Sequence, residues 1–229
     1  MKEHKLTGNE FCDFKEVDPL PDIPPIANFE FKTKKDFDPI VGSGIYSIYY
    51  DSMLLYIGKY RGIKKEGPFS GSVTDRWYKH IALLTGRSKR MCFPKRKDSS
   101  VFDEIKDWKK DYKLKDIILK CETKVMKKDR GHNYSFRKFK FSAENWDDFK
   151  NLDVKTLKRF TCIYSQYIAS DFDTSDFTAI RNIVGRVEGT IIDELQPRCN
   201  KQGVTKPRDN GMEESMKVIR EEMKKAIKF

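Results

Sequence analysis

The sequence has few residues that could build a metal cluster or a disulfide framework. Its 229 residues include five cysteines and three histidines, and these are scattered without a C-x-x-C pair. Structural zinc sites need closely spaced thiolate or imidazole ligands, so we expect no structural zinc. An odd number of dispersed cysteines also argues against disulfide staples, and the thiols are predicted to be reduced in a cytosol.

Long apolar runs are also missing. No apolar segment approaches the ~20 residues that a membrane-spanning helix needs. The first residues of the chain are charged, which is not the pattern of an export signal. We therefore expect a soluble cytoplasmic protein with no membrane partner.

Positive charge is what the sequence has in excess. Lys and Arg number 46 against 35 Asp and Glu, which gives a formal net charge of +11 and a pI of about 9.3. Such a surplus suits a polyanion such as nucleic acid. A solvated lysine-rich surface is the alternative, and charge alone does not separate the two.

Residues 44–59 have the pattern of a β-hairpin, with β-branched and aromatic residues in two runs and turn chemistry at Asp51. Tyr46 and Tyr56 lie an even number of residues apart. If they are directly opposite, the hairpin pivots on Asp51 and both hydroxyls share one face. That face also receives Gly44, Ile48, Leu54 and Gly58, whereas Ile45, Tyr49, Leu55 and Ile57 point to a core. A half-buried strand is the plainer explanation of the two tyrosines.

Three later segments complete the predicted fold. Residues 73–84 form an amphipathic helix on which Arg76 and His80 lie one turn apart. Residues 160–168 alternate as a strand that returns to the hairpin, and residues 180–195 have the most regular helical pattern. The fold class is predicted as α/β of the α+β kind, with a small antiparallel sheet of the hairpin plus a third strand, flanked by helices.

One carboxylate, Glu188, falls inside the apolar stripe of the last of these helices. A charge there is costly unless a cation meets it, so Glu188 is either half of an ion pair or a metal ligand. Gly185 and Gly189 flank it and leave room for a ligand or a backbone. Glu194 lies near the same stripe and is the competing carboxylate.

Three further segments are predicted around this core. Five prolines in residues 1–42 predict an irregular N-terminal arm. Residues 87–157 form a large basic and aromatic insertion within a domain that spans residues 43–200. Residues 201–229 form a tail that ends in an amphipathic helix.

The hairpin motifs, Gly44-Ile45-Tyr46 and Tyr56-Ile57-Gly58, resemble the paired signature of the GIY-YIG nuclease family. Members of that family carry an Arg, often followed by a His, on the helix after the hairpin. They also carry a metal-binding Glu on a later helix and an Asn shortly after a Pro. The matching residues here are Lys59, which is common after the second motif, and Arg76, His80, Glu188, Pro197 and Asn200. The resemblance covers residues 43–86 and 158–200.

The resemblance implies hydrolysis of phosphodiester bonds, with named roles at the hairpin. Tyr46 would act as the general base, with Tyr56 alongside, and Arg76 would clamp the phosphate. A free phenol titrates near pH ~10, so a neighbouring charge such as Lys59 or Arg76 would have to perturb the pKa of Tyr46.

The resemblance also implies a single divalent metal ion in each active site. Glu188 would bind Mg²⁺ or Mn²⁺ on the leaving-group side. His80 would hydrogen-bond Tyr46 or the attacking water, and Asn200 would orient the metal site.

Among GIY-YIG nucleases the chain is most like the type II restriction endonucleases, because recognition would be built into the domain. We expect a prokaryotic or phage-encoded endonuclease that cuts double-stranded DNA at a short site. One active site cuts one strand, so we expect a homodimer or a larger homo-oligomer. The alternatives are a homing, phage or repair endonuclease of the family and, from a different class, a DNA-binding protein without catalysis.

The insertion is predicted to carry DNA recognition, because the family core has no place for it. Its cationic side chains would contact phosphates, including two on one side of a strand predicted over residues 134–141. These residues are Lys89, Arg90, Lys95, Arg96, Lys97, Lys138 and Lys140. An exposed, solvated strand is the equal alternative for the last two.

Overall fold

The structure is a computed structural model that describes residues 1–16, 29–87, 91–92, 132–133, 136–149, 151–200 and 203–227. The chain divides into two compact units. The first unit comprises Met1–Cys12, Thr33–Tyr78 and Asp153–Phe229, and the second comprises Asp13–Lys32 and Lys79–Leu152. The predicted division into arm, domain and tail stays a prediction.

Strands and helices are mixed along the described residues, and the predicted α+β class is confirmed. The strands are β1 (Lys2–Thr7), β2 (Cys12–Glu16), β3 (Phe29–Thr33), β4 (Gly44–Tyr50), β5 (Met53–Tyr60), β6 (Met91–Cys92), β7 (His132–Asn133) and β8 (Phe160–Gln166). The helices are α1 (Gly8–Phe11), α2 (Thr74–Leu84), α3 (Phe136–Glu144), α4 (Trp146–Phe149), α5 (Val154–Arg159), α6 (Phe177–Leu195) and α7 (Met212–Ala226).

The first unit is built on a four-stranded antiparallel sheet with the strand order β1-β8-β4-β5. The hairpin and the predicted third strand, β8, are confirmed. The fourth strand, β1, comes from the segment that was predicted to be irregular. That segment also contains α1, β2 and β3, so the expectation is wrong for residues 2–16 and 29–33. The prolines behind it all lie after β1, where they do not interrupt its pairing with β8.

The tip of the hairpin does not have the predicted register. Asp51 and Ser52 form a two-residue turn, and both have positive φ, at 48° and 65°. Such turns match the right-handed twist of the strands that they join. If the strands paired regularly from this turn onwards, Tyr46 would lie opposite Ile57. Tyr56 would then point to the face opposite to that of Tyr46.

A bulge in β5 restores the shared face of the two tyrosines. The register shifts between Ile48 and its neighbour, because Leu55 is an extra residue on β5. Tyr46 therefore lies opposite Gly58, and Tyr56 lies opposite Ile48. The predicted shared face is confirmed, but the predicted direct pairing of Tyr46 with Tyr56 is wrong.

The other face of the hairpin packs against α6 and α7, whose apolar stripes are confirmed. Leu54 was predicted on the tyrosine face, but the bulge pairs it with Tyr49 and moves it into this core. The core cluster includes Ile45, Tyr49, Leu54, Ile57, Ile163, Tyr167, Ile180, Val184, Val187, Ile191, Leu195, Met216, Ile219 and Met223. Each fully buried aliphatic side chain there stabilises the fold by roughly 2 kcal/mol.

In the second unit, α3 occupies residues that were predicted as part of a strand. Lys138, Phe141 and Ser142 are buried at the three- and four-residue spacing of one helix side. The alternation of aromatic and basic residues was too short to distinguish a strand from a helix, so the strand prediction was wrong for residues 136–141.

Arg87, at the start of the predicted basic insertion, is a structural residue. Its guanidinium lies 4.8 Å from the ring centroid of Phe29 and 4.8 Å from that of Trp146. Nη2 donates a 2.9 Å hydrogen bond to the carbonyl oxygen of Phe149. Burial lowers the pKa of Arg87 to about 10, so it keeps its charge at neutral pH.

Candidate active site

The two signature tyrosines are close neighbours on one face of the hairpin. Their ring centroids are 6.1 Å apart and their planes are inclined at 32°. Tyr46 is 2% exposed, whereas Tyr56 is half-buried. A Cβ atom on Gly58 would clash with Cζ and the hydroxyl of Tyr46, so only glycine allows the phenol to lie across β5.

Burial dominates the protonation of both phenols. It raises the pKa of Tyr46 well above the usual value, and the neighbouring Tyr56 and Glu188 raise it further, whereas Arg76 lowers it. Burial likewise raises the pKa of Tyr56 to about 12, with Glu188 acting in the same direction. The two hydroxyls are hydrogen-bonded to each other. The expected lowering by cations is therefore outweighed, and both phenols are neutral at neutral pH.

Arg76 is held beside these phenols by α2. The next residue, Trp77, is fully buried, and its ring packs edge-on against Phe11 at 5.2 Å and against Tyr164 at 6.2 Å. This anchoring leaves Arg76 exposed, with its guanidinium 5.5 Å from the ring centroid of Tyr60. Its charge lowers the pKa of both Tyr46 and Tyr56, and its predicted role as a phosphate clamp stays a prediction.

His80 lies one turn further along α2, in the second unit. Nζ of Lys138 donates to Nδ1 of His80 at 2.6 Å, which leaves the proton of a neutral imidazole on Nε2. Lys138 is only 5% exposed, and its predicted contact with DNA phosphate stays a prediction. Lys140 is half-buried on the same helix. The roles of His80 and Lys140 stay predictions.

Helix α6 positions Glu188. Asp176 caps its first turn by accepting a 2.6 Å hydrogen bond from the amide of Ala179. At the other end Gln196 adopts the left-handed conformation, with φ of 49°. Between these ends Glu188 is half-buried at the margin of the apolar stripe, whereas the competing Glu194 is exposed.

Glu188 forms an ion pair with Lys59, the residue that follows the second signature motif. Nζ of Lys59 contacts Oε2, and Oε1 has no hydrogen bond to any described residue. Both partners retain some solvent access, at 25% for Lys59 and 15% for Glu188. Both of the alternatives weighed for Glu188 therefore remain, because the ion pair is present and one carboxylate oxygen is open.

A metal ion at Glu188 would depend on few protein ligands. Within the described residues, no group of three or more His, Cys, Asp or Glu side chains could hold a metal ion. Mg²⁺ is commonly held by one or two carboxylates, with water and substrate phosphate oxygens completing its shell. The open oxygen of Glu188 fits that mode of binding, and a self-contained metal cage does not fit the described residues.

Asn200 acts on the backbone of the hairpin. Its Oδ1 accepts a 2.8 Å hydrogen bond from the amide of Ile57, and its Nδ2 donates a 2.7 Å bond to the carbonyl of Ile57. Strand β5 is at the edge of the sheet, so the backbone of Ile57 has no neighbouring strand on that side. The side-chain amide of Asn200 makes the hydrogen bonds that such a strand would make. Asn200 orients β5, and its predicted role at the metal stays a prediction.

Two arginines near the site were not predicted. Arg61 and Arg181 both lie close enough to Glu188 or to each other for their charges to interact. A signal was present in the sequence, because Arg181, Gly185 and Glu188 are spaced four and three residues apart and so share one side of α6. Arg61 had no such signal.

The remaining site predictions are untested. Lys89, Arg90, Lys95, Arg96 and Lys97 lie outside the described residues.

Of the helices within the described ranges, none is both long enough and apolar enough to span a bilayer.

Comparison of the chain with protein-family models, with curated proteins and with solved structures gave no match. The resemblance to GIY-YIG nucleases therefore rests on the sequence motifs alone and stays a prediction.

Proposed function

We propose that this protein is a metal-dependent endonuclease that hydrolyses phosphodiester bonds in double-stranded DNA. The observation that carries the proposal is that two phenols, a guanidinium and a carboxylate lie close enough to interact. Arg76 and Glu188 both act electrostatically on the paired phenols of Tyr46 and Tyr56. A proton-transfer group, a cation for phosphate and a carboxylate for metal are what such hydrolysis requires.

Each of these residues would have its own role in hydrolysis. Tyr46 would accept the proton of the attacking water, with Tyr56 as its hydrogen-bond partner, and Arg76 would neutralise charge on the phosphate. In this structure Tyr46 holds its proton, so it becomes a base only when more positive charge lies near it. Glu188 would hold Mg²⁺ or Mn²⁺, which supplies Lewis-acid stabilisation of the leaving oxygen when bound.

We further propose site-specific cleavage of the type II restriction kind. The net charge of +11 supports a nucleic-acid substrate, and residues 87–157 are the largest segment available for recognition. Cutting both strands requires two active sites, which supports a homodimer or a larger homo-oligomer.

The Lys59–Glu188 ion pair favours a second candidate, a DNA-binding protein without catalysis. A carboxylate that a lysine already neutralises needs no metal to justify its position. In that case the hairpin and the paired charges would be retained for the fold alone.

Incubation of the purified protein with plasmid DNA separates these candidates. With Mg²⁺ present, we expect discrete fragments, and a chelator should abolish them. A smear instead of fragments would indicate a nuclease with little sequence selectivity. Plasmid that is bound but uncut, with either Mg²⁺ or Mn²⁺, would favour the candidate without catalysis.

A further inference from the structure

Arg61 lies directly against helix α6. Its Nη2 atom is 3.1 Å from the position that a Cβ atom would occupy on Gly185. Any larger residue at that position would have to displace the guanidinium. Gly185 therefore provides the space in which Arg61 rests.

The hydrogen-bonding capacity of Arg61 is not used within the described residues. Its Nε atom is buried and donates no hydrogen bond to any of them. A guanidinium has five N–H donors in a fixed planar fork, and a buried donor without a partner costs stability. An arginine whose task was to hold the fold together would be expected to use these donors.

Positive charges also gather around Arg61. Burial lowers the pKa of Arg61, and the nearby guanidiniums of Arg181 and Arg76 lower it further. Glu188 opposes this effect, but its carboxylate is already paired with Lys59. Three arginines in one region repel one another unless an anion lies between them.

We infer that Arg61 and Arg181 form a second phosphate-binding subsite, which holds a backbone phosphate of the DNA next to the phosphate that Arg76 contacts. The inference rests on the proposed function, because it takes DNA as the substrate of the neighbouring phenols. The planar fork of a guanidinium matches two oxygens of a phosphate, and the two Nη atoms of Arg61, which make no hydrogen bond to the described residues, supply donors for that match. Arg181 lies one turn before Gly185 on the same side of α6, so it can approach the same anion.

The test is DNA binding without metal, measured over a series of salt concentrations with a labelled double-stranded oligonucleotide. Arg61→Gln and Arg181→Gln should each weaken binding about tenfold. Each should also reduce the slope of log affinity against log salt by about 0.9, the value for one phosphate contact. The matched control is Arg186→Gln, which removes an exposed arginine from another side of α6 and should change neither quantity.

The double variant decides whether the two arginines serve one phosphate. If they do, Arg61→Gln combined with Arg181→Gln reduces the slope by no more than about 0.9. A reduction of about twice that value would show two separate contacts and would overturn the single subsite. An unchanged affinity and slope in Arg61→Gln would remove Arg61 from DNA binding altogether.

Thermal melting separates a binding role from a structural one. Arg61→Gln removes a repelled charge, so its melting temperature should be equal to that of the parent or higher. Inorganic phosphate should raise the melting temperature of the parent more than that of Arg61→Gln. A large loss of melting temperature in both Arg61→Gln and the charge-retaining Arg61→Lys would mean that the residue is structural.

Failure of this inference and failure of the proposed function are distinguishable, because the binding assay requires neither metal nor cleavage. A parent protein that binds DNA through Arg61 but cuts none would refute the nuclease and leave the subsite standing. A parent that cuts DNA while Arg61→Gln binds like the parent would refute the subsite and leave the nuclease standing.

Discussion

The two faces of the β4–β5 hairpin carry the same kind of residue for different purposes. Tyr46 and Tyr49 are both almost fully buried and both come from β4. Tyr49 belongs to the apolar core against α6 and α7, whereas Tyr46 lies beside Tyr56 within reach of the charges of Arg76 and Glu188. Burial therefore does not separate a structural tyrosine from a candidate catalytic one. What differs is which groups act on the hydroxyl: Glu3 and Arg220 act on Tyr49, whereas Arg76, Glu188 and the second phenol, Tyr56, act on Tyr46.

The largest expected effect on the charged face is the loss of cleavage in Glu188→Gln. This change removes the carboxylate that is proposed to hold the metal, so cleavage should fall to background while DNA binding is largely retained. Plasmid cleavage and metal-free binding are the two measurements. Glu194→Gln, on the exposed side of the same helix, is the matched control and should stay active. Full activity in Glu188→Gln would contradict the metal assignment.

Exchanging the two buried tyrosines for phenylalanine compares the faces directly. Tyr46→Phe should reduce the cleavage rate about 10²–10⁴-fold, because it removes a proposed proton-transfer group but keeps the ring. Tyr49→Phe makes the same chemical change on the other face and should leave the cleavage rate close to that of the parent. Rates and melting temperatures of both variants are compared. Equal rates in the two variants would remove the distinction between the faces.

Leu54→Ala should weaken the apolar face without affecting the chemistry. Leu54 is fully buried in the core cluster, and shortening it should cost about 2–5 kcal/mol of unfolding free energy. Denaturant unfolding measures this cost. The cleavage rate per folded molecule should be unchanged at temperatures where the variant is still folded, and a proportional loss of rate would mean that the two faces are coupled.

High pH should destabilise the apolar face through its buried phenol. Burial raises the pKa of Tyr49 to about 12, while an unfolded tyrosine titrates near ~10. The contribution is complete below pH ~10 and is then lost by about 1.4 kcal/mol per pH unit up to pH ~12, because only the unfolded state releases the proton. Other buried tyrosines act in the same direction, so the measurement is the difference between parent and Tyr49→Phe in denaturant unfolding. Identical pH profiles would contradict the prediction.

The smallest expected effect concerns the backbone of the edge strand β5. Asn200→Ala removes both hydrogen bonds to the backbone of Ile57 and should cost about 2 kcal/mol of unfolding free energy. If the amide only orients β5, a moderate loss of cleavage should accompany this cost. Loss of all cleavage without loss of stability would instead assign Asn200 to the chemistry.

The sequence by itself determined the elements whose patterns are local. The helical periodicities of α2, α6 and α7 follow from side chains that repeat along one helix side. The alternation in β4 and β8 identifies them as strands. Glu188 stood out because a charge interrupts an apolar stripe, and its half-buried position agrees with that expectation.

Only the tertiary structure decided which residues meet across the fold. The two-residue turn alone would place Tyr46 and Tyr56 on opposite faces of the hairpin, and the bulge at Leu55 brings them to the same face. No local sequence pattern predicts this bulge. The pairing of β1 with β8 joins residues more than 150 positions apart. Arg61 approaches Gly185 for the same reason, since long-range contacts are set by the packing of elements.

The protonation of Tyr46 was also decided by tertiary structure. From the sequence, the role of general base requires a neighbouring charge such as Lys59 or Arg76 to perturb the pKa of its hydroxyl. In the folded chain the removal of water from around the phenol outweighs Arg76, because desolvation penalises the charged form. Sequence spacing can bring a cation and a phenol together, but only the packed structure determines how much water remains between them.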